Sequence, residues 1–178
     1  MNLETFLGRC PDYAKDLKLN LPNVLRQTEL TPQQSWGTAV ACAMASRNPD
    51  VSAAIQTEAA GQISPEALHA AKAAAALMGM NNIFYRFQHL SSNQNYSAMP
   101  ARLRMQAIRT HGSDPIDFEL WCLAVSALNG CGRCVDAHER TLREKGVSEG
   151  AILAAVRIAA VIHGLAAVFD TERIPVSV

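Results

Sequence analysis

Prolines constrain this chain more than any other residue type. Pro11, Pro32, Pro49, Pro65, Pro100 and Pro115 all stand where a helix can begin. Proline is tolerated at the first helical position because the N–H it lacks would be unpaired there anyway. Thr31, Ser64 and Asp114 each precede one of these prolines and can act as N-caps. Between these points Ala, Leu and Met dominate, and no stretch alternates polar and apolar residues with a period of two. The chain therefore reads as all-α.

Short helices are expected at roughly 2–9, 11–20 and 22–28, then longer ones at 32–46, 49–60 and 65–89. The polar stretch SSNQNYS at 91–97 is the best linker candidate. Helices resume at roughly 100–111, 115–129, 131–145 and 148–169. Gly61 and Gly146 are placed as C-terminal stops, and Asn129-Gly130 as a tight turn.

A weak internal repeat runs through this pattern. Trp36-Gly-Thr-Ala-Val aligns with Trp121-Cys-Leu-Ala-Val, and Gly61 falls on Gly146 at the same offset. The expected organisation is one domain over 1–178, built of two similar helical units. Residues 1–90 form a non-catalytic unit, and 98–170 form the unit that carries the chemistry. In the first unit Ser46, Pro49 and Ala53 occupy the places of Cys131, Cys134 and His138, so it is chemically blank. Trp36 and Trp121 recur in the repeat and are expected to be packing anchors.

Composition removes several function classes. Sixteen Lys and Arg balance sixteen Asp and Glu, with no basic stripe that would suggest nucleic acid. No apolar run approaches the roughly 20 residues that span a bilayer without a charge. The start, MNLETFLGRC, lacks a basic segment followed by an apolar one, so a secretory signal is not expected and the cytoplasm is. Five cysteines at uneven spacing do not form a disulfide framework. In a reducing compartment a C-x-x-C is redox-active or metal-binding before it is a structural bridge.

That pair is Cys131 and Cys134, with His138 four residues further on. With Cys131 at a helix start, steps of about 100° put all three within an arc of roughly 60°. Cys134 and His138 are i and i+4, so their side chains can meet. The helix N-terminus and an adjacent imidazole both favour a thiolate, and Arg133 adds positive charge nearby. Glu119 lies ten residues before Asn129, roughly 15 Å along its helix. A short turn makes the two helices an antiparallel hairpin, which brings Glu119 level with His138. A carboxylate there can orient the imidazole and pass protons.

Other readings stay open on the residues alone. C-x-x-C with histidine is a partial zinc ligand set, although only three ligands are local. The pair could be a structural disulfide, and Glu119 could emerge at the surface. His163, in an apolar run, reads as a hydrogen-bonded core residue. Cys10, Cys42 and Cys122 read as small buried or semi-buried hydrophobes. His69, His89 and His111 read as surface residues.

The pattern E-x11-C-x-x-C-x3-H at Glu119, Cys131, Cys134 and His138 closely resembles the alkyl hydroperoxidase D (AhpD) family. That family lies within the carboxymuconolactone decarboxylase-like superfamily of all-helical proteins. The segment LPNVLRQTELTPQQSWGTAVACAMASRNP extends the resemblance over nearly the whole chain. It implies an AhpD-like helical fold and a thiol peroxidase that reduces alkyl hydroperoxides. By the same resemblance Cys134 is the peroxidatic cysteine, and Cys131 is the resolving cysteine that faces reductants. His138 and Glu119 form the proton relay. No tightly bound cofactor is implied; dihydrolipoamide, carried by a lipoylated dehydrogenase-complex subunit with its flavoprotein reductase, is the reductant. A peroxiredoxin (AhpC) is a further partner, and the chain is expected to form a homotrimer or hexamer. Some members carry His immediately before the second cysteine where this chain has Arg133, which therefore takes no role from the family. The alternatives are a general disulfide reductase and a non-enzymatic zinc or redox-sensing adaptor. A decarboxylase has no need of the C-x-x-C pair.

Overall fold

Four of the six prolines begin helices in the computed structural model, which describes residues 2–173. The outermost positions of the expected 1–178 domain, Met1 and 174–178, lie outside the described residues. The order is α1 (Leu3–Gly8), a 3-10 turn (Asp12–Ala14), α2 (Lys15–Leu25), α3 (Pro32–Ala45), α4 (Pro49–Ala59) and α5 (Pro65–Leu90). Then come α6 (Asn95–Ala98), α7 (Ala107–Thr110), α8 (Pro115–Leu128), α9 (Gly132–Glu144) and α10 (Glu149–Thr171). Among the described residues there is no strand.

Each of the four proline starts is capped. Thr31, Ser64 and Asp114 accept backbone N–H bonds from the first turns of α3, α5 and α8. Gln34 completes a capping box with Thr31. Asn48 caps α4 in the same way and also donates to Asp170 at 2.7 Å, tying α4 to the end of α10. Caps of this kind each contribute about 1 kcal/mol.

Two local expectations are corrected. Residues 11–28 do not form two helices; after the 3-10 turn, α2 runs straight through Pro22. Proline removes one backbone N–H there, but Leu21 and Leu25 are buried in the core, and α2 packs along α10. The expected helix over 100–111 shrinks to the single turn α7. Arg102 takes a positive φ of 51°, and Leu103 and Ile108 remain exposed. A short helix that buries little apolar surface is not stable on propensity alone.

α3 and α8 form the centre. They pack on each other, and both touch α5 and α10. One hydrophobic cluster runs from Phe6 to Phe169 and takes in residues from all four of these helices. α10 is long and apolar enough to cross a membrane by length and composition, yet its Ile158, Ile162, Leu165 and Phe169 are buried in this cluster. His163 projects from the opposite, exposed side of α10, so it is not the core residue expected. The inward stripe of the helix falls at 158, 162, 165 and 169, and position 163 lies off it.

The contact between α3 and α8 depends on Gly37. Trp121 is fully buried, its indole N–H donates to the Gln34 carbonyl at 3.3 Å, and its ring lies against the Gly37 backbone. A Cβ at position 37 would fall inside the ring. Trp36 is partly buried against the same core. Gly37→Ala gains helix propensity but overpacks this contact, so a net loss of about 2 kcal/mol is expected. Urea unfolding measures it; a variant as stable as the parent would show that Trp121 has room to move.

Candidate functional site

The site is built at the joint between α8 and α9. α8 ends in a Schellman motif: the Gly130 N–H bonds to the Ala127 carbonyl, and the Cys131 N–H bonds to the Ser126 carbonyl at 3.0 Å. Gly130 takes φ 67°, the left-handed conformation this motif requires. Cys131 is at once the last residue of that motif and the N-cap of α9. Its carbonyl accepts the first α9 bonds, from the N–H groups of Cys134 and Val135. A single turn therefore delivers the C-x-x-C pair to a helix N-terminus, where unpaired N–H groups favour negative charge.

Cys131 and Cys134 are joined in a disulfide, with Cα atoms 5.3 Å apart. Cys131 is fully buried, whereas Cys134 keeps 6% of its surface and lines a cavity. The resemblance makes Cys131 the thiol that faces reductants; in this oxidised chain the edge open to the cavity belongs to Cys134.

Glu119 and His138 meet across the hairpin. Their Oε2 and Nδ1 atoms are 2.6 Å apart, with side chains 21% and 18% exposed. Glu119 does not emerge freely at the surface. An ionised carboxylate can only accept, so Nδ1 donates in this bond and Nε2 is the ring nitrogen left to exchange a proton. His138 lines the same cavity as Cys134. The structure thus brings all four predicted groups to one place. Among the described residues, no group of three His, Cys, Asp or Glu side chains is arranged to hold a metal ion.

The cavity has a volume of about 270 Å³. Met78 and Tyr85 from α5, Met105 and Ile108 from the α7 region, and Ala137 from α9 form its apolar wall. Arg133 stands at its edge, where its guanidinium donates to Gln88 at 3.1 Å and lies 5.6 Å from the Tyr85 ring centre. Asn81 completes the lining.

Sequence reasoning missed the residues that hold the turn. Asn82 is buried on α5, donates to Ser126 Oγ at 2.9 Å, and accepts from the Asn129 amide at 2.9 Å. Arg86 donates to the Asn129 carbonyl at 2.6 Å. The signal was present: two consecutive asparagines interrupt the apolar run from Ala73 to Phe84 in α5, where asparagine has no intrinsic advantage.

The other cysteines behave as expected of apolar residues. Burial pushes the thiols of Cys42 and Cys122 far above the ordinary range, and the Glu119 charge adds to the rise at Cys122. Cys10 is half-buried, and burial raises its thiol too, against a smaller opposing pull from Lys18. His111 is corrected: it is half-buried, stacks on Phe118 at 4.0 Å, and accepts from the Ser113 N–H. Burial lowers its pKa, while Asp114 and Glu119 pull the other way. His69 and His89 are exposed.

Gly130→Ala tests the joint. Nothing lies within 4 Å of an added Cβ, so only the left-handed backbone is penalised, by roughly 1–2 kcal/mol. A fall in denaturant midpoint of that size is expected; an unchanged midpoint would mean that the turn adopts another conformation freely.

Comparison with known proteins gives the family. Residues 94–174 match the carboxymuconolactone decarboxylase family. Proteins named alkyl hydroperoxide reductase AhpD align end to end. The one from Solibacter usitatus is 68% identical over 99% of this chain and 100% of its own length. Those from Acidobacterium capsulatum and Koribacter versatilis are 61% and 62% identical, covering 98% and 97% of this chain and 96% and 90% of theirs. With the fold, the hairpin and this full-length identity together, the chain belongs to the AhpD family.

Proposed function

We propose that this protein is an antioxidant thiol peroxidase that reduces alkyl hydroperoxides through a Cys131/Cys134 dithiol–disulfide cycle. The observation that carries the reading is the Glu119–His138 hydrogen bond at 2.6 Å, made on the cavity that Cys134 lines. The names of the full-length relatives support the same reaction.

In the reduced protein, His138 Nε2 takes the Cys134 proton while Glu119 stabilises the imidazolium through Nδ1. The thiolate attacks the terminal oxygen of ROOH, the O–O bond breaks, and Cys134 becomes a sulfenic acid. The departing alkoxide takes a proton from His138 and leaves as ROH. Cys131 then displaces water from the sulfenic acid, giving the disulfide present here. Two thiols of a dihydrolipoyl group reduce that disulfide by exchange and become the lipoyl disulfide. Because Cys131 is fully buried in the oxidised chain, such a thiol reaches it only when the turn at 129–133 opens.

Dihydrolipoamide, held on a lipoylated dehydrogenase-complex subunit with its flavoprotein reductase, is the proposed electron source. A peroxiredoxin of the AhpC type is a proposed downstream partner, and the cytoplasm is the proposed compartment. The N-terminal unit acts as scaffold, since Ser46, Pro49 and Ala53 stand at its positions equivalent to the reactive residues. Self-association as a trimer or hexamer is supported by a run of exposed apolar side chains. Ile83, Phe87 and Leu90 on α5 are joined there by Tyr96 and Met99, with the Phe87 and Tyr96 rings 5.1 Å apart.

Cys134→Ser is expected to abolish dihydrolipoamide-dependent peroxide turnover. Glu119→Gln should lower kcat by about 10- to 100-fold by removing the charge that stabilises the imidazolium. Coupled-assay kinetics measure both, and full activity in the serine variant would defeat the reading. Parallel rates with a model disulfide separate it from a general disulfide reductase, for which disulfide reduction would far outpace peroxide reduction. Phe87→Glu should shift the light-scattering mass to that of a single chain; an oligomer that survives it is built on another face.

A further inference from the structure

Asn81 and Asn82 are neighbours on α5, both buried, and their fates differ. Asn82 spends its amide on Ser126 and Asn129. Asn81 is only 4% exposed, yet its Oδ1 has no hydrogen-bond partner. A buried acceptor left unpaired costs about 1–3 kcal/mol, so such a group usually has a use. Asn81 lines the cavity that also holds Cys134 and His138. Most of the remaining wall is apolar, made by residues such as Met78, Met105 and Ile108.

We propose that Asn81 is the residue that binds and orients the substrate's hydroperoxyl group, its side-chain carbonyl accepting the O–H of ROOH while the alkyl group fills the apolar part of the cavity. The inference rests on the peroxidase reading above and extends it to a residue outside the four-group constellation. An alkyl hydroperoxide carries one O–H donor on an apolar body, which matches one unpaired acceptor on a residue of a largely apolar wall; that acceptor is sealed from solvent, so the Asn81 amide turns about its last torsion to meet the hydroperoxyl group. His138 cannot take this part at the same moment, because its Nδ1 is held by Glu119 and its Nε2 receives the Cys134 proton. The oxygen whose hydrogen Asn81 holds is the terminal one, which the thiolate attacks. That O–H bond survives the step: it stays on the oxygen that becomes the sulfenic acid, and the alkoxide leaves on the far side. Asn81 therefore fixes which oxygen meets sulfur and takes no part in the proton transfers.

The test compares Asn81→Leu, close in shape and apolar, with the parent protein, and uses Asn81→Ala as a second variant should the leucine pack badly. With tert-butyl hydroperoxide, kcat/KM should fall about tenfold, the effect of losing one such hydrogen bond. Reduction of the Cys131–Cys134 disulfide by dihydrolipoamide needs no acceptor at Asn81 and should stay within about twofold. The Tm of the leucine variant should hold or rise, because an unpaired buried acceptor is removed. An unchanged kcat/KM for the hydroperoxide overturns the proposal. So does a parallel loss of peroxide and exchange rates with a lowered Tm, which would make Asn81 a structural residue. Failure of the parent protein to turn over hydroperoxide at all would be a different result, sinking the peroxidase reading itself.

Discussion

Everything at this site follows from how little chain separates α8 from α9. The Schellman motif at Gly130 lets Cys131 end one helix and begin the next, so the two helices return antiparallel with only Asn129, Gly130 and Cys131 between them. Glu119, one turn into α8, is thereby set beside His138, on the second turn of α9. A longer loop would free the two helices to slide, and a carboxylate and an imidazole 19 residues apart would not be held at 2.6 Å. The pairing also makes a carboxylate tolerable on a largely apolar helix, since a charge there needs a partner.

The hairpin is anchored from outside. α8 is locked to α3 through Trp121, which occupies the space that Gly37 leaves open. The turn itself is tied to α5 by Asn82 and Arg86. α5 therefore serves both as a wall of the cavity and as the support of the reactive turn. In the proposed cycle a reductant that must reach Cys131 has to loosen these ties, whereas a peroxide in the cavity comes to the open edge of Cys134.

Much of this was legible in the sequence. Capped prolines mark the starts of α3, α5 and α8, and the spacing of Glu119, Cys131, Cys134 and His138 points to the hairpin site. What failed was tertiary in origin. Pro22 reads as a break, yet core burial carries α2 through it. The 100–111 segment reads as a helix, yet only the turn at Ala107–Thr110 forms, because the segment buries little apolar surface and leaves Leu103 and Ile108 exposed. His163 reads as core because its neighbours are apolar, but a long helix buries only its inward stripe. His111 shows no partner in the sequence, because Phe118 and Ser113 reach it only once the approach to α8 has folded. Asn81 and Asn82 are identical in the sequence, and only packing makes one a tether and leaves the other unpaired.

The account's central claim is that oxidation equivalents from a hydroperoxide end up in one particular bond. The reduced protein has five thiols. Titrating it with one equivalent of tert-butyl hydroperoxide, then counting free thiols and mapping peptides by mass spectrometry, tests this directly. The account predicts that two thiols are lost and that one new link joins Cys131 to Cys134. Loss at Cys10, Cys42 or Cys122, or Cys134 oxidised beyond the sulfenic acid while Cys131 stays free, would contradict it.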